Sequence, residues 1–294
     1  MSWFDRWFRL TRPPTPPEDP PGRRAGGSVS TPTQLEGRFR DRIRPAVHLR
    51  PADTTVFSRL GGLPLLPPDV PWPEWKGKPQ SFLAQIDLAE IAGVLPSFLP
   101  ASGLLFFFYD QEQGVWGYDP KDRGAWQVVY HAGSRTDLKE RTAPAGLPPH
   151  CIFRSRPVLP HRIELLPDSD RLGRDAFTSD TDAETYCQLR QAVFADLPHH
   201  QMLGYPSPVQ GDQMELECQL ATNGIYLGDG DWPEHPRFSE LRPGAGEWKL
   251  LLQLDSDNDT QWMWGDVGTL YFWVRERDAR NANFSDVWFV LQCS

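Results

Sequence analysis

The sequence lacks several features that would point directly to a function. No apolar run approaches the roughly 18 residues that a membrane-spanning helix needs. The N-terminal MSWFDRWFRL mixes basic and apolar residues and is not a secretory signal. The motifs GxSxG, GxxxxGK[ST] and GxGxxG are also missing. Their absence argues against the common nucleotide-dependent classes, although it does not exclude an enzyme.

Cysteine is scarce and widely spaced. The four cysteines are Cys151, Cys187, Cys218 and Cys293, and none belongs to a CxxC pair. This spacing predicts neither a structural zinc site nor a disulfide framework. We therefore expect buried free thiols in a reducing compartment, which indicates a cytoplasmic protein.

Basic residues are fewer than acidic residues, with 30 Lys and Arg against 39 Asp and Glu. The net charge is −9 and the pI is about 5.3. An acidic surface repels phosphate backbones, so we expect no nucleic-acid partner. Such a surface would attract a basic protein, although mild acidity is also typical of proteins selected only for solubility. The sequence does not indicate an oligomeric state.

Proline and tryptophan are abundant instead, with 30 and 12 residues in a chain of 294. Residues 1–10 form a short amphipathic pattern, and residues 11–32 read as a Pro-rich, disordered linker. The amphipathic segment could dock on a partner or fold back on its own domain. Residues 33–294 are long enough for a single domain with a sizeable core.

Apolar patterning predicts an α+β fold with mostly antiparallel sheets and few short helices. Helices are expected over 33–44, directly after Asp87, and over 179–196. Strands are expected to end at Asp87 and to cover 103–110, 126–131, 248–256, 268–276 and 286–294.

Three of these strands have a similar sequence later in the chain. FLAQID at 82–87 matches LLLQLD at 250–255, GLLFFF at 103–108 matches GTLYFWV at 268–274, and WQVVY at 126–130 matches VWFVL at 287–291. The order is kept, and we infer two pseudo-symmetric halves, about 57–150 and 200–294, from an internal duplication. Chance similarity between apolar strands is the alternative.

Both strands of the first matched pair, FLAQID and LLLQLD, end in Gln-x-Asp. The residues are Gln85-Ile86-Asp87 and Gln253-Leu254-Asp255. Asp at a strand exit can accept hydrogen bonds from a turn or cap a helix, and Gln can tie down a neighbouring backbone. The two pairs are therefore expected to be structural, with a ligand-binding role as the alternative.

Several segments together resemble a known family: SRLGGLPLLP, PWP, LAQIDL, HHQMLGYPSPVQGD, LLLQLDSD, WMWGDVGTLYFWV and FSDVWFVLQC. They run in order from about Ser58 to Cys293 and are similar to the YwqG-like bacterial family, a domain of unknown function. The resemblance implies one duplicated α+β unit without an established reaction. It also implies an association with toxin systems, hence a toxin-neutralising role, and a ligand-contacting role for His200.

A calcium-like spacing occurs in DSDNDTQWMWGD. Asp255, Asp257, Asp259 and Asp266 stand at positions 1, 3, 5 and 12, where carboxylates could converge on a divalent cation. Thr260 replaces the usual glycine, and Asp266 is shorter than the usual glutamate. The alternative is a polar hairpin loop between two strands.

Two functions fit these observations. The first is a non-enzymatic protein that binds a partner, such as a basic toxin, through Trp72, Trp75, Trp262 and Trp264. The second is a small-molecule or carbohydrate site between the halves, lined by Gln85, Asp87, Gln253, Asp255 and Asp266, with Asp266 beside tryptophans as an acid for metal-assisted hydrolysis. No cofactor other than such a cation is expected.

Overall fold

The computed structural model describes residues 30–54 and 56–294. The amphipathic segment at 1–10 and most of the expected linker at 11–32 lie outside the described residues. The last residues of that linker are ordered, because Thr31 caps helix α1 (Pro32–Arg38) by accepting a hydrogen bond from the backbone N–H of Gln34. Ser30 in turn donates from its backbone N–H to Asp182 at 2.8 Å.

Fourteen strands occur in the described part of the chain. They are β1 (Arg44–Pro51), β2 (Arg59–Leu60), β3 (Leu65–Leu66), β4 (Glu74–Trp75), β5 (Lys78–Pro79), β6 (Ser81–Asp87), β7 (Leu104–Tyr109), β8 (Trp126–His131), β9 (Lys139–Glu140), β10 (Arg156–Leu165), β11 (Gln201–Met202), β12 (Trp248–Asp255), β13 (Thr269–Arg275) and β14 (Trp288–Gln292).

The α-helices after α1 are short. They are α2 (Leu88–Val94), α3 (Ser169–Leu172), α4 (Asp180–Ala192), α5 (Met214–Thr222), α6 (Phe238–Leu241) and α7 (Glu276–Arg280). None of the helices in the described ranges is long and apolar enough to cross a membrane.

Ten strands build one antiparallel sheet in the order β14-β13-β12-β11-β1-β10-β2-β6-β7-β8. Strands β3 and β9 form a small separate sheet, as do β4 and β5. The α+β class, the antiparallel pairing and the few short helices that the sequence predicted are confirmed.

The strand order of the large sheet follows the same pattern from both edges. From one edge it runs β14-β13-β12-β11-β1, and from the other it runs β8-β7-β6-β2-β10. We call β1, β2, β6, β7 and β8 the first strand set, and β10 to β14 the second strand set. The inner strands are exchanged, because β1 pairs with β11 of the second set and β10 pairs with β2 of the first. Strands β6 and β12 also carry a register shift at matching places, between Phe82 and Ala84 and between Leu250 and Leu252.

The two arms of the sheet curl until they pack against each other. The rings of Phe107 and Phe272 lie edge to face at 5.2 Å between centroids, and those of Trp126 and Trp288 at 4.8 Å. These side chains come from apolar strands, and the contact removes them from water. The result is a nearly closed, barrel-like sheet with one large aromatic core.

The N-terminal helix is shorter than the sequence predicted. A helix was expected over 33–44, but α1 ends at Arg38, a 3₁₀ turn covers Arg40–Arg42, and β1 begins at Arg44. Phe39 lies over Tyr186 of α4 at 5.2 Å between ring centroids, so the chain turns there to pack on that helix. The apolar spacing that suggested a long helix therefore reflects a short helix followed by a strand.

Candidate functional site

Most of the tryptophans expected at a partner surface lie in the core instead. Trp262 and Trp264 are only 1% and 0% exposed, and Trp72 is 9% exposed, with its indole N–H donating to the carbonyl of Gln80 at 2.9 Å. Trp75 is half-buried, and Lys76 lies over its ring at 3.9 Å. Buried rings stabilise the fold but offer no anchor to a partner.

The carboxylates of the calcium-like stretch diverge. Asp257 accepts hydrogen bonds from His200 Nε2 at 3.4 Å and from the backbone N–H of Asp259 at 2.8 Å. Burial raises the pKa of Asp257, but these bonds outweigh it and lower the pKa to about 2. The side chain of Asp259 instead pairs with Arg156 at 3.6 Å. Asp257 is thus committed to holding the loop.

Asp266 is exposed, so it does not lie in the apolar pocket that the hydrolytic role would require. Within residues 30–54 and 56–294, no group of three or more His, Cys, Asp or Glu residues could hold a metal ion. Residues 256–268 therefore form a polar hairpin loop, closed by paired backbone bonds between Asp257 and Trp262.

Gln85 of β6 is fully buried and bonds to the backbone of an incoming segment. Its side-chain amide donates to the carbonyl of Phe57 at 2.8 Å and accepts from the N–H of Leu65 at 3.1 Å. Two residues later, the N–H of Asp87 donates to the Ser58 hydroxyl at 3.0 Å. These bonds satisfy backbone groups that would otherwise be buried without partners.

Gln253 of β12 makes the same bonds in the second strand set. It donates to the carbonyl of His199 at 2.8 Å and accepts from the N–H of Ser207 at 2.9 Å. The N–H of Asp255 donates to His200 Nδ1 at 3.1 Å. Phe57, Ser58 and Leu65 therefore correspond to His199, His200 and Ser207 in position.

Asp87 has a complete set of partners. It caps α2 by accepting from the N–H of Ala89 at 2.7 Å, and it accepts a hydrogen bond from Arg135 Nε at 2.6 Å. The same guanidinium donates to Glu90 at 2.8 Å and lies over the ring of Phe57, 4.6 Å from its centroid. Asp87 is therefore a capping and ion-pairing residue.

Asp255, by contrast, faces a cavity of ≈190 Å³. Its carboxylate accepts hydrogen bonds from the N–H of His199 and from the Thr269 hydroxyl, both at 3.1 Å. Among the residues that the structure describes, no arginine or lysine makes an ion pair with Asp255. The lining of this Asp255 cavity comes from β12, β13, α4 and the segments around 165 and 205: Leu165, Leu166, Arg190, Gln191, Phe194, His199, Tyr205, Pro206, Ser207, Pro208, Val209, Gln253, Asp255, Val267 and Thr269.

Two other polar side chains of the cavity wall, His199 and Arg190, are held by neighbouring residues. The His199 ring stacks on Phe194 at 3.8 Å, and burial lowers the pKa of His199 against the opposing attraction of Asp255. The imidazole is therefore neutral at pH 7. Arg190 pairs with Asp168 at 2.6 Å and also donates to two backbone carbonyls.

The sequence predicted part of this site. Gln253 and Asp255 lie in the cavity wall, whereas Gln85 and Asp87 belong to the first strand set and do not line it. His200 sits behind Asp255 and is 3% exposed. The wall residues His199, Arg190, Thr269 and Ser207 were not predicted, because they come from separated segments. Aligning HHQMLGYPS at 199–207 with FSRLGGLPL at 57–65 would have pointed to His199 and Ser207.

A family model for a domain of unknown function, DUF1963, matches residues 58–293. The chain belongs to this family. The match takes in the large sheet from β2 to β14 and the whole wall of the Asp255 cavity. No curated protein matches the DUF1963 chain at a significant level. The chemistry of the site therefore has to be argued from its own geometry.

Proposed function

We propose that this DUF1963 protein is a binding protein whose ligand site is the Asp255 cavity. The observation that carries the proposal is a concave space lined by the Asp255 carboxylate, which has no described ion-pair partner, and by the half-buried, neutral His199 ring, which stacks on Phe194. Apolar walls with a few convergent polar groups are typical of small-molecule sites.

Binding fits this cavity better than hydrolysis. Among the residues that the structure describes, Asp255 is the one carboxylate in the lining, whereas glycoside hydrolysis requires two carboxyl groups on opposite sides of the substrate. The tryptophans that would have stacked on a sugar are buried elsewhere. The cavity thus supports recognition of a small polar ligand, with the N–H-bonded Asp255 as its fixed acceptor.

A thermal-shift screen of neutral sugars, carboxylates, amines and guanidinium compounds tests this proposal. We expect one class to raise the melting temperature of the wild type and to leave Ser207→Phe unchanged, since phenylalanine fills the cavity. Ser239→Phe is the matched control, because Ser239 is exposed in α6 away from the cavity. Equal shifts in all three proteins would contradict the proposal.

A second candidate function is binding of a protein partner, including neutralisation of a basic toxin. It is supported by exposed apolar residues on the rim and its loop: Val209 is 38%, Met263 51% and Val267 59% exposed. The net charge of −9 favours a basic partner. Val267→Asp should then lose a partner that the wild type captures from host lysate, while Asn283→Asp, exposed on another loop, retains it. Capture by both variants would contradict this role.

We also propose that the chain is YwqG-like, bacterial and cytoplasmic, and that its two strand sets arose by duplication. The matched glutamine bonds support the duplication. A further matched pair joins the exchanged strands, since Val158 N–H donates to the Ser58 carbonyl at 3.0 Å and Leu49 N–H to the His200 carbonyl at 2.8 Å. Chance similarity between apolar strands would not reproduce such side-chain and backbone bonds together.

A further inference from the structure

The first strand set has a region that corresponds in position to the Asp255 cavity, so the two regions can be compared. Asp87 and Phe57 there occupy the positions that Asp255 and His199 occupy in the second set, because the two buried glutamines bond to the same backbone groups in each. Any group that lies against Asp87 and Phe57 therefore shows what fits against Asp255 and His199.

The group found there is a guanidinium. Arg135 donates from Nε and from a terminal nitrogen to Asp87, and its Cζ lies over the ring of Phe57. Arginine suits such a place because it combines a forked donor set for a carboxylate with a flat face for a ring.

Among the described residues, no arginine or lysine pairs with Asp255 as Arg135 pairs with Asp87. Phe194 covers one face of the His199 ring, so a ligand at Asp255 would contact the other face. Arg190 is the cation in the cavity wall, but its guanidinium is held by Asp168 and by the carbonyls of Leu166 and Pro206. The carbonyl of Pro64, which corresponds to that of Pro206, accepts from the backbone N–H of Arg141 at 3.0 Å. Arg190 therefore occupies the place of the Arg141 segment and not that of Arg135.

We propose that the Asp255 cavity binds a guanidinium cation, which would lie between the Asp255 carboxylate and the His199 ring as Arg135 lies between Asp87 and Phe57. This inference rests on the proposed function. The two known bonds to Asp255 leave about half of the lone-pair positions of its carboxylate for a ligand. The neutral His199 ring does not repel a cation, and Thr269 keeps the carboxylate oriented.

The guanidinium could come from a free small molecule or from an arginine side chain of a partner protein. Both sources share the same chemistry at Asp255. Calorimetric titration of the full chain with methylguanidinium, with L-arginine and with the peptide Gly-Gly-Arg-Gly-Gly separates them. Tighter binding of the peptide indicates a protein source, and tighter binding of free arginine indicates a small molecule.

The deciding variant is Asp255→Asn, which keeps the shape of the side chain and removes its charge. We expect at least about a tenfold loss of affinity, because a charge-assisted bond is lost. Asp259→Asn is the matched control, since Asp259 is on the adjoining exposed loop and pairs with Arg156. If Asp255→Asn does not fold, Ser207→Phe, which leaves Asp255 in place but fills the cavity, provides the same test.

The outcomes separate this inference from the proposed function. Guanidinium binding that Asp255→Asn weakens and Asp259→Asn spares supports the inference. Binding that is unchanged in Asp255→Asn overturns it. If only neutral or anionic probes bind, and Ser207→Phe blocks them, the inference fails while the proposed function stands. If no probe binds, both fail.

Discussion

At the scale of single residues, two buried amides set the geometry of both strand sets. A glutamine that bonds only to backbone groups fixes where a connecting segment may lie, and its loss leaves those groups without partners. Gln253 positions the segment that carries His199 and Ser207, so it shapes the Asp255 cavity without offering a group to the ligand.

We expect Gln253→Ala to lower the free energy of unfolding by about 2–4 kcal/mol, because it removes the partners of the Ser207 N–H and the His199 C=O and leaves a gap in the buried strand β12. Urea denaturation measures the change. Gln127→Ala is the control, since that amide makes a single 3.3 Å bond at the surface, and its cost should stay below about 1 kcal/mol. A similar loss in both variants would show that Gln253 does not have this role.

Glu217 makes stability depend on pH. Burial, reinforced by Glu215 and Asp212, raises the pKa of Glu217 from 4.5 to about 8. The folded state therefore keeps a proton that the unfolded chain releases. Its contribution is fully present below pH 4.5 and is lost as the pH rises to about 8.

Glu217→Gln removes this titration. Relative to the wild type, the variant should gain stability progressively between pH 5 and pH 8, as measured by urea unfolding at several pH values. Glu247→Gln, at a side chain that is 53% exposed, should give a constant difference. A pH-independent difference for Glu217→Gln would disprove the assignment.

At the scale of secondary-structure elements, the sequence predicted the apolar strands well. Strands β6, β7, β12, β13 and β14 stood out because they are rich in apolar residues, nearly all of which are buried. Strand β8 is also mostly apolar, although only Trp126 in it is buried. Strands β1 and β10 were missed. Only three of the ten residues of β10 are buried, and it contains Pro157 and Pro160, which normally argue against a central strand. Long-range pairing with β1 decides its conformation, and no local pattern reports that pairing.

The cavity was predictable only in part for a similar reason. Asp255 was found because a repeat in the sequence marked it. Arg190 was not found, since it enters the wall from α4 and only tertiary packing brings that helix to β12. Sequence patterns identify the elements, but a site built from several of them depends on their arrangement.

The two arms approach each other closely at Gly117. Its φ is +83°, and an added Cβ would lie 1.8 Å from the carbonyl oxygen of Phe289, while its own carbonyl accepts from the Trp288 indole at 2.9 Å. We expect Gly117→Ala to lower the free energy of unfolding by about 1–3 kcal/mol or more, because backbone strain and a steric clash with Phe289 act together. Thermal or urea unfolding measures the change.

Gly246→Ala is the matched control for that change. An added Cβ at Gly246 meets nothing within 4 Å, so the free energy of unfolding should change by less than about 0.5 kcal/mol. If Gly117→Ala were as mild as this control, the two arms would not be held as closely as the structure indicates.

At the scale of the whole molecule, the exchange of β1 and β10 interlocks the two strand sets. Strand β1 pairs with β10 over eight residues from Arg44 to Pro51 and with β11 at Val47 and His48. Neither set can complete its sheet without a strand that the other supplies. The chain should therefore unfold in a single cooperative transition.

Expression of residues 30–150 and 151–294 as separate fragments tests the interlock. Each fragment would expose open strand edges and half of the aromatic core, so neither should show dispersed amide signals in NMR spectra as a monomer. Mixing the two should restore the spectrum of the intact chain. A monomeric 151–294 fragment that unfolds cooperatively would contradict the interlock.

The exchange also determines when the sheet can form during synthesis. Strand β1 leaves the ribosome early, yet its neighbours β10 and β11 begin only at Arg156 and Gln201. His48 likewise donates from its ring to the carbonyl of Pro198, which is 150 residues away. Because long-range pairing must wait for the later residues, β1 cannot take its place in the sheet until β10 and β11 have also emerged.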